Sequence, residues 1–451
     1  TSIFRPMQKP RPSLMLILFI LALITLAPLF NKGLFTSQDG GIHLVRIGYF
    51  YQEIARGNPI PKWINELNNG LGYPLFFFVY PLPYYLSSIW RFLGASIIDS
   101  LKISLVTSTL LGVLGIYLWI KKVYSSVRMA WASSVLYLFT PYRFLDVFVR
   151  LAYGEYLAIS VLPFCFWSVE IGNIPAISLT ISLLLLSHGQ MFIIFTPIIF
   201  FYSFLRKKVR PFLFSMLFAL GVTAFYWLPA IVTISHSRSS LVHQFPPSDH
   251  LPTFAELVYS KWGFGMSHPG PFDEMSFQVG LVNWAVLFLV TFVAFKSKNN
   301  LARFTSVVVW LSILVMSTNQ FHLWNQPFTQ FVQFPWRLLS IPLILLPLAL
   351  ATIKPKRIIL AILLTLAIYA NRNHITVNMP WFTDVTDQQF LTNGSTATST
   401  PDEFMPKNPF PEVKYEFTTH PVLRLSYTIS IISLILFSVL CLTRLKYQYP
   451  S

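Results

Sequence analysis

Apolar runs of about membrane-spanning length, punctuated by short clusters of Lys and Arg, recur from one end of the chain to the other; Leu14–Phe30, Leu213–Ile234 and Leu425–Leu442 are examples. About 20 such residues in helical conformation cross a bilayer, and only helices or closed barrels satisfy the backbone there. The pattern therefore predicts an all-α polytopic integral membrane protein with about 12 membrane helices. Ten spans are expected at Leu14–Phe30, Leu101–Ile120, Met129–Leu145, Tyr153–Ile171, Pro211–Ile234, Phe277–Phe295, Leu301–Ser317, Leu338–Thr352, Ile358–Tyr369 and Leu425–Leu442.

Two apolar segments do not fit as ordinary spans. Ala176–Leu205 must start and end on the same side, because Arg206, Lys207, Lys208 and Arg210 follow it, and it is too short for two full crossings. It is expected to form a short hairpin, the remaining two helices, turning at Ser187, His188 and Gly189. At about 1.5 Å per residue, each arm lifts the turn roughly 18 Å from the cytoplasmic side. His188 then floors a cavity open to the outside. Tyr73–Gly94, interrupted by Pro74, Pro81 and Pro83, is expected to lie along the outer membrane surface.

Placing the basic clusters inside fixes one threading with both termini cytoplasmic. Arg5, Lys9 and Arg11 precede the first span, and Lys121, Lys122 and Arg128, Lys296, Lys298 and Arg303, Lys354, Lys356 and Arg357, and Arg444 and Lys446 fill later cytoplasmic loops. Of the 17 acids, Glu170 alone then falls inside. The rule uses only Lys and Arg, so this segregation is a partly independent check, and it marks the outer face as the side with polar chemistry. The chain reads as one membrane domain, 1–451, with outer loops at 31–100, 235–276 and 370–424. The first run, with no small-residue cleavage site behind it, is expected to be retained as a span. The sequence opens on Thr1, so a few residues are expected to precede it.

Composition sharpens this picture. The 451 residues are 54% hydrophobic and 11% charged with a mean hydropathy of +0.58, against about 25% charged in soluble domains. Secreted, cytosolic and disordered classes are excluded. The net charge of +16 is accounted for by the loop clusters, so no nucleic acid partner is expected. Cys165 and Cys441 lie within apolar runs and read as packing residues.

The candidate chemistry lies in the outer segments. Asp39, His43 and Arg46 are spaced to share one face of a helix. The acid can accept a proton, the imidazole can position a hydroxyl or hold a metal, and the guanidinium can pair with phosphate. An N-capping Asp followed by a solvated first turn explains the same spacing. Arg143, Asp146, Arg150 and Glu155 crowd into thirteen residues beside Tyr142, Tyr153 and Tyr156; they either pair as structural ends or face an aqueous cavity. Arg337, beside Trp336, is either a snorkelling interfacial residue or a clamp on a lipid phosphate. His188 is either a functional group or a hydrogen-bonding link to a neighbouring helix.

His236, His243 and His250 recur every seven residues, but Pro246 and Pro247 break any helix between the last two. Asn393–Ser395 matches a glycosylation sequon. Phosphate-loop, zinc-helix and nucleophile-elbow motifs are missing, so the energy for any reaction must reside in an activated lipid substrate or an ion gradient. A divalent metal is left open as cofactor, and its ligands are unknown.

The order of parts resembles the GT-C class of membrane glycosyltransferases: one span, a long outer loop with an early acid, an aromatic surface helix, then about ten more spans. Within that class the chain is similar to bacterial membrane proteins labelled 6-pyruvoyl-tetrahydropterin synthase-related. The matching stretches are Asp39–Arg46, Pro61–Trp63, Gly70–Phe76, Tyr80–Leu86, Arg150 with Tyr153 and Glu155, Ser187–His188, Phe334–Arg337 and Pro401–Lys407. The label does not carry pterin chemistry, because the tight three-histidine zinc cluster of the soluble synthases is missing.

The class resemblance implies transfer of a sugar from a polyprenyl-phosphate donor, in membrane lipid, to an acceptor at the outer face of a bacterial inner membrane. It makes Asp39 the catalytic residue, acting as base or metal-side ligand; His43, Arg46, Arg150, Glu155, His188 and Arg337, read from their own positions above, are the expected substrate-binding residues. Larger members carry a long soluble C-terminal domain, which is not expected after the last span here, so acceptor recognition falls to the outer loops or a partner. A transporter or flippase of a lipid-linked glycan, and an envelope-assembly scaffold, are the readings from other classes.

Overall fold

The computed structural model describes residues 12–238, 246–269, 273–326, 329, 331–391, 397–398, 404–405 and 412–448. Arg5, Lys9, Arg11, His243, the sequon at Asn393–Ser395 and most of Pro401–Lys407 lie outside them. The described chain is almost wholly helical. Two short strands, β1 (Leu34–Thr36) and β2 (Asn378–Phe382), pair antiparallel with Leu34 opposite Phe382. The pair ties the segment after the first helix to the stretch 378–382 far along the chain. Gly33 makes this corner possible: its φ is +77° and a Cβ would stand 2.3 Å from the Phe382 carbonyl oxygen.

The helices that build the site are α1 (Pro12–Ile24), α2 (Gly40–Ala55), α3 (Leu82–Phe92), α4 (Ile97–Tyr124), α5 (Val127–Leu138), α6 (Tyr153–Ile171), α7 (Ile174–Ser187) and α8 (Gly189–Leu205). They are followed by α9 (Val209–Val222), α10 (Ala224–Thr233), α11 (Leu281–Lys296), α12 (Asn300–Ser317), α13 (Ser340–Ile353), α14 (Arg357–Asn371) and α15 (Pro421–Gln448). The segment Pro335–Ile353 is the centre of the bundle, with 89% of its apolar window buried, whereas Phe417–Leu442 is peripheral at 11%. Such a helix is apolar all round because one side meets lipid.

Among the described residues five helices are long and apolar enough to cross a membrane, and a bent pair makes six. That is fewer than the expected count, and the reasons are local. The run from Met129 breaks after Leu138 because Pro141 has no N–H and holds Thr140 extended, at ψ 128°. The run from Pro211 is two helices, α9 and α10, bent by 70°. Ser430 of α15 serves both broken ends: its hydroxyl accepts the Phe225 N–H at 2.8 Å and donates to the Gly221 carbonyl at 3.3 Å. The hairpin is present as α7 and α8, with His188 closing one helix and opening the next. Tyr73–Gly94 holds a single turn at Leu75–Phe78 and then α3, which is tied to the last outer loop by an Arg91–Asp387 ion pair of 2.6 Å.

Gly280 sits at φ +102° before α11, with a Cβ position 2.9 Å from Pro141 Cδ. An L side chain is strained there, and conformations of this kind cost about 1–3 kcal/mol. Gly280→Ala is expected to lower thermal stability in detergent by that order; an unchanged unfolding temperature would show that the two segments adjust freely.

Candidate active site

The site begins where the helical geometry fails. After Pro141–Phe144 the chain winds one wide turn, Leu145–Arg150, with i→i+5 hydrogen bonding, and leaves it through Leu151 at φ +52°. Wide turns of this type concentrate at functional sites. The carbonyls of Val149 and Arg150 are left without helical partners. They accept the N–H groups of Gln38 (3.0 Å) and Asp39 (2.8 Å) from the other end of the outer loop. Asp39 is thereby fastened beside Arg150.

Asp39 occupies the N-cap position of α2, yet its carboxylate makes no capping hydrogen bond. The capping explanation of its spacing therefore fails, and among the described residues the carboxylate has no hydrogen-bond partner. It keeps accessible surface and lies in electrostatic range of Arg150, Arg46, Arg337 and Glu155.

The second half of the site is a buried ion cluster. Arg150 Nη1 donates to Asp146 Oδ1 at 2.6 Å and to Glu155 Oε2 at 2.9 Å, and its guanidinium lies over the Trp336 ring at 4.4 Å. Arg337, 182 residues away in sequence, donates through Nε to the same Glu155 oxygen at 3.1 Å. Its Nη1 is held by the Val332 carbonyl and by Gln333 Oε1, both at 2.8 Å. Tyr142 donates to the other Glu155 oxygen. Glu155 thus pins two guanidiniums whose Nη2 groups have no partner among the described residues.

Asp146 is fully buried, and its Oδ2 has no partner among the described residues. Burial and the neighbouring Glu155 charge push its carboxyl well above the ordinary range.

The structure gathers the remaining expected residues but commits some of them elsewhere. His43 is buried, with Nδ1 2.9 Å from the Tyr84 hydroxyl and its ring edge-on to Tyr153. Arg46 spends its Nε on the Ala397 carbonyl at 2.7 Å and reaches Tyr84 at 3.3 Å, so it also fastens the last outer loop over α2. His188 caps α8 by accepting the Met191 N–H on Nδ1 at 3.3 Å, and its ring packs on Tyr80 at 5.1 Å. It lies in electrostatic range of Arg337 and Glu155. Tyr80 and Tyr84 were not among the expected site residues. Their signal was the i, i+4 pair of tyrosines in Tyr80–Tyr84, read there as part of a surface helix.

Burial raises the Asp39 carboxyl above its usual value, an effect that Arg150, Arg46 and Arg337 oppose, while burial holds His43 well below its own. His43 is a neutral imidazole at physiological pH. If Asp39 is a base, activity appears as pH climbs through a raised value. The acid limb of the kcat/KM profile is expected above that of an ordinary Asp, and a limb near the usual 3.8 would contradict the burial.

Among the described residues no cluster of three or more metal-ligating side chains is present. A separate cavity of about 680 Å³ opens between the end of α1, the start of α4 and Thr383–Val385. Its lysines are engaged: Lys102 donates to the Asn31 carbonyl at 2.7 Å and Lys32 pairs with Asp384 at 3.4 Å. None of Asp39, Arg150 and Arg337 lines it.

No family profile and no curated protein matches the chain. Among solved structures it superposes on the arabinofuranosyltransferase AftD from Mycobacteria with TM-score 0.52 at 13% identity, over 83% of this chain and 27% of that one. A mutant form of the same enzyme gives 0.54 at 11% identity, over 83% and 29%. ArnT from Cupriavidus metallidurans, solved with undecaprenyl phosphate, gives 0.49 at 12%, over 76% and 60%. The chain thus spans less than a third of the arabinofuranosyltransferase's length. The chain shares the fold of that arabinofuranosyltransferase, and with five helices among the described residues long and apolar enough to cross a bilayer it is an integral membrane protein.

Proposed function

We propose that the protein transfers a sugar from a polyprenyl-phosphate donor to an acceptor hydroxyl at the outer face of a bacterial inner membrane, with both termini in the cytoplasm. One observation carries this reading: an uncommitted carboxylate, Asp39, lies in electrostatic range of two guanidiniums, Arg150 and Arg337, that retain unused donors. In a displacement at the anomeric carbon, Asp39 takes the acceptor proton as the new C–O bond forms. The bond to phosphate oxygen breaks, and Arg150 and Arg337 stabilise the charge that develops on the leaving lipid phosphate. Glu155 holds both guanidiniums in place, and the neutral His43 orients the aromatic wall behind them.

The acceptor side falls to the outer loops, 31–100, 235–276 and 370–424. Gln38, next to Asp39, donates to the Gly265 carbonyl at 2.7 Å, so the middle loop comes up to this part of the site. The likeness to the 6-pyruvoyl-tetrahydropterin synthase-related membrane proteins belongs to this reading as a proposed relationship, without pterin chemistry.

A flippase for a lipid-linked glycan would use the same phosphate contacts but leave the glycosidic bond intact. Reconstituted protein incubated with a panel of undecaprenyl-phosphate-linked hexoses and pentoses separates the two. Release of undecaprenyl phosphate with transfer or hydrolysis of the sugar is expected; donor recovered whole from every member would overturn the proposal.

A further inference from the structure

Tyr80 stands at the turn before α3, and its ring lies flat against α6 beside the ion cluster. A Cβ built on Gly154 would come within 2.1 Å of Tyr80 Cε2 and 2.7 Å of its hydroxyl oxygen. Glycine at 154 is what lets the ring in. The ring is 5.1 Å from His188 and lies nearly parallel to Tyr84, at 7° and 6.2 Å. Together these rings form one aromatic wall.

The other tyrosines of the wall and the ion cluster have spent their hydroxyls. Tyr84 bonds His43 and Arg46, Tyr142 bonds Glu155, Tyr153 bonds Ser87 and the Pro83 carbonyl, and Tyr156 bonds Thr109 and Arg143. The Tyr80 hydroxyl has no partner among the described residues, and Tyr80 is only half-buried, in electrostatic range of Asp39, Arg46 and Arg337. A phenol left unpaired beside tyrosines whose hydroxyls are all engaged is placed for a ligand.

Resting on the transferase reading above, we propose that Tyr80 is the donor-sugar contact: the sugar ring packs on the aromatic face and the phenol donates a hydrogen bond to a sugar oxygen. The assignment to sugar rather than phosphate follows from position. The phosphate belongs between Arg150 and Arg337, whose Nη2 groups are unspent, and the anomeric carbon must lie between that phosphate and Asp39. Tyr80 is in range of both Asp39 and Arg337, so it flanks that stretch. An aromatic face suits the C–H side of a sugar, and its rigid side chain loses little entropy on binding.

The test compares two probes on parent, Tyr80→Phe, Tyr80→Ala and Gly154→Ala: bare undecaprenyl phosphate, and whichever undecaprenyl-phosphate sugar the parent turns over fastest. Tyr80→Phe removes one neutral hydrogen bond and is expected to weaken the sugar-bearing lipid up to about tenfold, with KM raised more than kcat is lowered. Tyr80→Ala is expected to weaken it further. Gly154→Ala, which leaves the tyrosine but displaces its ring, is expected to weaken the sugar-bearing lipid as well. Bare undecaprenyl phosphate should bind both Tyr80 variants within twofold of the parent.

Equal loss for both probes would make Tyr80 a phosphate or structural residue, and no loss for either would remove it from the site; both overturn the inference. So would a parent that binds the sugar-bearing lipid no more tightly than the bare one. The transferase reading is judged separately by Asp39→Asn: if that variant is inactive while the Tyr80 variants bind the sugar lipid like the parent, only the Tyr80 assignment falls.

Discussion

Asp39→Asn is expected to lower sugar transfer between a hundredfold and ten-thousandfold, the range a positioned general base supplies, without loss of folded protein. Asparagine keeps the size of the side chain. The ties that position it are backbone ones, the Asp39 N–H to the Arg150 carbonyl and the Asp39 carbonyl to the His43 N–H. The sign of the stability change also follows. The folded Asp39 carboxyl is raised, so between its unfolded and folded values the native state binds more protons, and stability falls as pH rises through that window. At neutral pH the ionised carboxylate is therefore a burden on the fold, and the Asn variant should unfold at the same temperature as the parent or above it. Transfer rate and thermal unfolding of the purified variant check both halves. A stable variant with parental turnover would remove Asp39 from the chemistry.

Glu155→Gln is expected to be the most damaging substitution for the fold. Glu155 is completely buried and satisfies two guanidiniums at once through one oxygen. Gln keeps the shape but leaves Arg150 and Arg337 as buried like charges, with Asp146 as the one carboxylate among the described residues still bonded to either. Removing one partner of a buried pair costs about 3–5 kcal/mol, a large part of the roughly 5–15 kcal/mol that holds a domain folded. Asp146→Asn serves as the comparison, since burial and Glu155 already push that carboxyl toward its neutral form. It should shift the unfolding temperature far less. Equal effects from the two would mean that the charge is spread over both carboxylates and that Glu155 is not its main seat.

Much of the site was legible because its residues are costly where they sit. An early outer acid, four ionisable groups near a membrane boundary, a lone histidine in an apolar hairpin and one arginine in a fifty-residue uncharged stretch all stand out against apolar surroundings. Their mutual contacts were not legible. Nothing local to Arg337 says that it meets Glu155, and nothing local to Arg46 says that its guanidinium is taken by the Ala397 carbonyl. Those pairings come from packing between segments hundreds of residues apart.

The irregular backbone divides the same way. Pro141 is a readable break in an apolar run. The wide turn that follows it has no residue signature, although it frees the carbonyls that hold Asp39. The bend between α9 and α10 depends on a hydroxyl supplied by α15, some two hundred residues later. Tyr80 was hidden differently: its neighbours are so aromatic that a surface helix explained the segment, and only the exhausted hydroxyls around it single it out.

The account rests on one recess holding a lipid phosphate between Arg150 and Arg337 and facing Asp39. A structure of the protein with undecaprenyl phosphate bound tests it most directly. Phosphate oxygens within salt-bridge distance of both guanidiniums, with the Asp39 carboxylate across the recess, are the predicted result. Phosphate seated instead in the cavity lined by Lys32 and Lys102, with Arg150 and Arg337 untouched, would contradict it.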